Sequence, residues 1–322
     1  MRAKVDNKME NISNFRPRLF AVVGAGPVGC IVSALLAKNG YDVTLCDVVP
    51  ELVKPATNPG IIIEGAINLQ QSVTHTCTSI EDLSENVPDV IILAIKANTL
   101  SLVSSAIEAF YKEGIYIISW QNGIDTEAEI ARNLGRKPVM RAVVNYGCEL
   151  IGPCHVRMSF HHPPHYLQEL DKASTMAAIK LTEILTECGL NTKHTDKINS
   201  MVWRKAILNS CMNPVCAVTG LTMTQAMNDP FIFQIIDSLV KECVAVARAN
   251  GIDLGWDFYP YAMEYMGKAG DHKPSMLTDI ENKRRTEIEF MNGKFVEYGR
   301  QTGMETPYNK TLRALIKALE PK

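Results

Sequence analysis

The run Trp203-Arg204-Lys205-Ala206-Ile207-Leu208-Asn209 sets an ammonium and a carboxamide four residues apart, one above the other on a single face if the segment is helical. On an otherwise apolar helix such a pair is either a surface contact or a site for a carbonyl oxygen, and spacing alone leaves both readings open. A second constellation, Gly24-Ala25-Gly26-Pro27-Val28-Gly29, follows the apolar run Leu19–Val23. It suits a backbone that must approach a pyrophosphate: Gly24 allows the tight turn off a strand, Gly26 the close approach, and Gly29 the packing of helix on sheet. Pro27 fits a first helical turn, where its missing N–H is not needed, and Val28, Ile31, Val32, Leu35 and Leu36 continue at helical spacing until Gly40. The N-terminus of that helix would face the phosphates. Asp47 closes the next apolar run, Tyr41–Cys46, and no Arg or Lys follows before Lys54. A carboxylate there accepts both ribose hydroxyls and repels a 2′-phosphate, which favours NAD(H) over NADP(H); the alternative is a solvated strand-end acid.

These groups need elements to position them. Asp89–Lys96, Thr99–Tyr111 and Tyr116–Trp120 alternate as strand, helix and strand, and strands apolar on both faces belong in a parallel sheet covered by helices. Such sheets bind ligands beyond the carboxyl ends of their strands, where Lys96 and Gln121-Asn122-Gly123 fall. Thr126 and Glu129 are spaced as a capping box, and 139–160 alternates like an extension of the sheet. The second half lacks comparable strands; helices are predicted over 196–212, 229–249, 260–268, 278–291 and near 310–319. The expected organisation is a loose polar leader over 1–17, an α/β Rossmann-type dinucleotide-binding domain over 18–195 and an all-α substrate and dimerisation domain over 196–322.

Composition agrees with an ordinary enzyme: 322 residues, 46% hydrophobic, can fill two cores, and a net charge of −2 argues against nucleic acid. Residues 1–17 hold no apolar core segment, so neither a signal peptide nor a membrane span is expected, and the predicted location is cytoplasmic. The nine cysteines are scattered without CxxC spacing and read as small buried hydrophobes. His155, His161, His162 and His165 invite a metal, but two are adjacent and Pro163-Pro164 interrupts regular presentation, so no metal is expected.

Taken in order, GAGPVG at 24–29, the strand-end Lys96, WQNG at 120–123, WRKAILN at 203–209, PSM at 274–276 and TEIEFMNG at 286–293 make the chain resemble the ketopantoate reductase (2-dehydropantoate 2-reductase) family over Leu19–Leu319. The twelve-residue step from Ser275 to Glu287 adds to the match. The resemblance implies a C-terminal domain like that of 6-phosphogluconate dehydrogenase and a place in pantothenate biosynthesis. It implies Lys205 as general acid and electrostatic clamp at the ketone oxygen, with Glu287 orienting lysine and substrate. Asn122, Asn209, Asn213 and Ser275 become the polar contacts to substrate. Lys96, with Asn122, falls near the nicotinamide ribose, while Gly24, Gly26, Pro27, Val28, Gly29 and Asp47 hold the dinucleotide. The chemistry is coherent, because hydride addition to a ketone builds negative charge on oxygen and an unperturbed lysine, titrating at about 10.4, is charged at neutral pH. Residue by residue a plainer role is available: Glu287 as a helical partner of Arg284 or Lys283, Ser275 as a local cap. Pro214 disfavours helical geometry at Asn213.

Three departures from the family stand out. Asp47 lacks the basic neighbour of NADPH-using members, His155–Leu167 replaces a glycine-rich strand turn, and Ala97-Asn98-Thr99 follows Lys96 in place of an aromatic-Gln pair. The reading is reduction of a 2-oxo acid to a 2-hydroxy acid, NADH preferred, with ketopantoate to pantoate the leading case. The alternatives are an NAD-dependent dehydrogenase of another small hydroxyacid and, outside enzymes, a dinucleotide-sensing regulator. An apolar helical domain is consistent with a homodimer.

Overall fold

The computed structural model describes residues 15–321, so most of the leader read over 1–17 lies outside the described residues. Its last part is packed: Phe15 meets Tyr116 edge-on at 5.0 Å, and Pro17 is buried. The chain divides into two compact units, one holding residues up to 121 together with 126–198, the other 122–125 together with 199 onward.

The first unit is built on β1 (Leu19–Val23), β2 (Asp42–Cys46), β5 (His75–Cys77), β6 (Val90–Leu93), β7 (Tyr116–Ser119), β8 (Val139–Val143), β11 (His165–Glu169) and β12 (Thr192–His194). Their order across one sheet is β12-β11-β8-β7-β6-β1-β2-β5. The pairs are parallel from β8 to β5, and β11 runs antiparallel to β8. Every residue of β6 and β8 is buried, as strands covered on both faces require. Helix α1 (Pro27–Lys38) follows β1, α2 (Leu100–Glu108) follows β6, α3 (Thr126–Leu134) follows β7, and α4 (Thr175–Leu185) lies beside β11 and β12.

The alternating stretch 139–160 does not simply extend this sheet. After β8 the chain leaves it to form β9 (Tyr146–Gly152) and β10 (His155–His161), which join β3 (Ile61–Gly65) and β4 (Leu69–Gln71) in a second sheet, order β4-β3-β10-β9, lying against α1. Half-buried strands alternate in hydrophobicity wherever they pair, so the pattern signals strands without naming their sheet. The capping box over Thr126 and Glu129 is also not formed. Thr126 is the first helical residue of α3, its hydroxyl lies 2.8 Å from that of Ser119 and also meets Arg141, and Glu129 pairs with Arg132 at 2.6 Å.

The second unit is helical among its described residues: α5 (Ile198–Thr219), α6 (Met223–Asn228), α7 (Pro230–Ala249), α8 (Phe258–Gly267), α9 (Ser275–Glu281), α10 (Asn292–Gln301) and α11 (Pro307–Leu319). Local chemistry sets two starts: Thr222 and Gln225 form a reciprocal capping box, and Asp229 Oδ1 accepts the Phe231 and Ile232 N–H groups at 2.9 Å. Two expectations fail here. Helix α5 runs through Pro214, and the single helix expected over 278–291 is instead α9, a turn with Lys283 at φ 52°, a 3₁₀ turn at Ile288–Phe290, and α10.

Candidate active site

The glycine turn takes the shape its spacing requires. Gly24 sits at φ 107°, and a Cβ on it would come within 2.7 Å of the Ala94 carbonyl oxygen; one on Gly29 would overlap the Gly24 carbonyl oxygen. Gly26 differs, since a Cβ there meets no protein atom within 4 Å. Gly26 is the N-cap of α1, Pro27 is its first residue, Val28 is partly buried, and no side chain caps the helix. Bare backbone at the N-terminus of a twelve-residue helix is what a dinucleotide pyrophosphate fits.

Asp47 lies one residue beyond β2 and is partly buried. Its Oδ2 accepts the Ala25 N–H at 2.8 Å and its Oδ1 the Val49 N–H at 3.0 Å, so the carboxylate ties the strand end to the glycine turn. A carboxylate has about four acceptor positions, which leaves capacity for a ribose diol. Lys96 stands three residues past β6 with extended backbone, its carbonyl accepting the Thr99 hydroxyl at 2.8 Å.

The His155–Leu167 segment carries β10 into β11. Asn145 N–H donates to His165 Nδ1 at 3.0 Å, so the His165 proton sits on Nε2, which faces His161 Nε2 at 3.0 Å. The ring of His162 stacks on Phe160 at 4.9 Å. Burial, with the neighbouring His162, holds the His161 pKa below the usual histidine value.

In the second unit α5 carries Lys205, Asn209 and Asn213 at successive four-residue steps, hence on one face, and the helix is unbroken across all three. Lys205 and Asn209 are partly buried, and Asn213 is buried. The neighbouring cation is used differently: Arg204 donates to the Leu254 carbonyl at 2.5 Å and lies 4.9 Å over both the Phe258 and Tyr261 rings.

Glu287 is buried at 8% exposure and precedes the 3₁₀ turn in a backbone conformation, φ −97° and ψ 23°, between the main allowed regions. The helix expected there is replaced by tertiary hydrogen bonds. Thr286 donates its N–H (2.9 Å) and hydroxyl (2.7 Å) to Glu320 Oε1, while Lys317 donates to Oε2 at 2.6 Å. Burial works against the Glu320 charge, but Lys317 and Thr286 outweigh it and hold that carboxyl below its usual range. Arg284 reaches Asp279 at 3.4 Å. Ser275 is exposed and begins α9, with Pro274 at the N-cap position and no side-chain cap, so the local-cap role is not the one it takes.

Asn122 is partly buried and joins this unit through its neighbours. Gly123, at φ 103°, would place a Cβ 2.8 Å from Phe290 Cβ, and Ile124 N–H donates to the Phe290 carbonyl at 2.8 Å. Asp125, left-handed at φ 63°, accepts from Tyr298 at 3.0 Å and Lys294 at 3.0 Å. These anchors bring the Asn122 turn and the Glu287 turn onto one support. Sequence reasoning missed Asp125, Thr286, Asn292 and Glu320; three of them lie in or beside quoted motifs, and only a long-range partner gives them away.

A glycine turn on a parallel sheet, a strand-end acid, and a helical unit displaying a lysine in line with two amides define a two-unit nicotinamide-dependent oxidoreductase acting on a CH–OH group. The family model described as Ketopantoate reductase PanE/ApbA matches residues 20–172, and that for its C terminal matches 197–320. A 2-dehydropantoate 2-reductase of Pyrococcus horikoshii is 30% identical over 299 residues, 93% of this chain and 96% of that protein. One from Lactococcus lactis is 29% identical, covering 93% and 97%. Among solved structures, a D-mandelate dehydrogenase in ternary complex with NADH and anilino(oxo)acetate has a TM-score of 0.84 at 27% identity, covering 93% of this chain and 97% of that one. A ketopantoate reductase from Ralstonia eutropha has a TM-score of 0.82 at 26% identity, with the same coverage. The chain belongs to the ketopantoate reductase family. Among the described residues, no helix is long and apolar enough to cross a membrane.

Proposed function

We propose that the enzyme interconverts a small 2-oxo acid and its 2-hydroxy acid with NAD(H) preferred, ketopantoate and pantoate being the leading pair. The observation that carries the reading is the single α5 face bearing Lys205, Asn209 and Asn213. When bound, a nicotinamide would supply or receive the hydride. Lys205 Nζ places positive charge at the ketone oxygen and donates the proton that completes the hydroxyl; in oxidation the same nitrogen holds the proton that leaves. Glu287 orients the ammonium, and Asn122, Asn209, Asn213 and Ser275 hydrogen-bond the rest of the substrate. Lys96, three residues past β6, would hold the ribose of the nicotinamide.

A second substrate reading, an NAD-dependent dehydrogenase of a different hydroxyacid, is favoured by the likeness to the NADH-bound D-mandelate dehydrogenase. The discriminating experiment is turnover with NADH and NADPH against a panel of 2-oxo acids including ketopantoate, with pantoate and mandelate assayed in reverse. Ketopantoate turnover with NADH supports the leading reading. Silence on ketopantoate with activity on another acid moves the substrate and points to His155–Leu167 as the altered wall. The homodimer is proposed from the apolar content of the helical unit alone, and sedimentation equilibrium decides it.

Cofactor preference has its own test. Asp47→Ala should weaken NADH binding by about tenfold or more, the scale of a hydrogen bond to a charged group, and narrow the gap to NADPH. Because Asp47 also holds the Ala25 N–H, Asp47→Asn serves as the companion: it keeps an acceptor for that N–H and removes the charge. Unchanged preference in both variants would move the determinant elsewhere.

A further inference from the structure

Proline has no N–H, and its ring crowds the carbonyl four residues back, so Pro214 deprives the Ser210 carbonyl of its helical donor and ordinarily ends a helix. Helix α5 nonetheless continues to Thr219. The Ser210 carbonyl accepts instead from Asn292 Nδ2 at 3.0 Å, and Ser210 and Asn292 are both fully buried. The same Nδ2 donates to Asn309 Oδ1 at 2.8 Å, and Asn309 donates through Nδ2 (2.7 Å) and its backbone N–H (2.9 Å) to Glu242 Oε1. The substitute donor is therefore itself held by a relay reaching α11 and α7.

We propose that Asn292 is a positioning residue that acts through Pro214: its side-chain amide replaces the missing helical donor at Ser210 and so keeps Asn213 on the face that carries Lys205 and Asn209. The proposal rests on the reading of that face as the one that meets substrate. It explains why a proline is tolerated one residue after a substrate-facing amide. With a backbone N–H at position 214, the Ser210 carbonyl would be satisfied within its own helix; without one, α5 depends on α10. A buried carbonyl left without either donor is costly, and the local remedy is to open the helix at the turn that bears Asn213.

The test is a double-mutant cycle on the full-length enzyme with the best substrate of the panel: parent, Asn292→Ala, Pro214→Ala and the double variant, each measured for kcat, KM, NADH Kd and Tm. Asn292→Ala should lower kcat by about tenfold or more with NADH Kd unchanged, and Pro214→Ala should stay within about twofold of the parent. The double variant should recover most of the lost kcat, because a backbone N–H restored by the Pro214→Ala change supplies the donor that Asn292 no longer does. If Asn292→Ala does not fold, recovery of folded, active protein in the double variant is the same result. No recovery of folding or turnover overturns the proposal, and so does a fall in Tm without any change in kcat. Lys205→Ala in the same assay separates the two layers. Full activity there would overturn the reading of the α5 face itself, whereas an inactive Lys205→Ala with no relief from Pro214→Ala would overturn only the positioning role.

Discussion

Lys205→Ala is expected to bind NADH as the parent does and to turn over about 10²- to 10⁴-fold more slowly, the range for removal of a general acid. The loss should fall on kcat and kcat/KM alike, because the ammonium meets full negative charge only as hydride arrives and the ketone oxygen becomes an alkoxide. The neighbouring residue is the control. Arg204 is committed to the Leu254 carbonyl and to the Phe258 and Tyr261 rings, so Arg204→Ala should lower Tm while leaving kcat per folded enzyme close to that of the parent. Two cations adjacent in sequence are thus expected to separate into one that holds the helical unit and one proposed to act on substrate. Stopped-flow hydride transfer on both variants reads the difference directly, and a Lys205→Ala enzyme with parental turnover would remove the lysine from the mechanism.

What can be read from the sequence divides by the range of the interactions involved. The glycine turn is legible because its constraints are local: Gly24 needs a positive φ and Gly29 must clear the Gly24 carbonyl, and both demands fall within six residues of chain. The same holds for the lysine and amide of α5, whose four-residue step fixes their common face once the segment is helical. The continuation of that helix past Pro214 is illegible because the donor that permits it, Asn292, lies 82 residues from the Ser210 carbonyl it serves. The helical pattern over 278–291 puts Glu287 on a helix, but Thr286 gives its N–H to Glu320, 34 residues on, and that bond replaces a helical one. Sheet membership fails for the same reason: β9 and β10 have strand patterning, and only the pairing of β10 with β3 makes them part of a separate sheet over α1. Lys205 and Asn209 are therefore proposed from type and spacing, and Asn213, Ser275 and Glu287 from the family resemblance, whereas Asp125, Asn292 and Glu320 become visible only through their partners.

Two glycines of the turn should fail in different ways, and the contrast locates the phosphates. Gly29→Ala drives a methyl group into the Gly24 carbonyl oxygen, a backbone atom fixed by the turn and by the Gly24 N–H bond to Cys46 at 2.7 Å, so α1 must move off the sheet. Overpacking of this kind costs about 1–3 kcal/mol. The variant should lose several degrees of Tm and, if the N-terminus of the displaced helix is where the pyrophosphate binds, weaken NADH binding by about 10- to 100-fold. Gly26→Ala should behave otherwise. Gly26 has φ −69°, which alanine adopts freely, and its Cβ would meet no protein atom, so Tm should match the parent. Its methyl group would instead stand where the pyrophosphate is proposed to approach bare backbone, and NADH binding should fall with stability intact. Calorimetric titration with NADH alongside thermal unfolding distinguishes the cases. A Gly26→Ala protein that binds NADH as the parent does would place the pyrophosphate away from the N-terminus of α1, and with it the assignment of Asp47 to the ribose, because both depend on the dinucleotide lying across the β1–α1 turn.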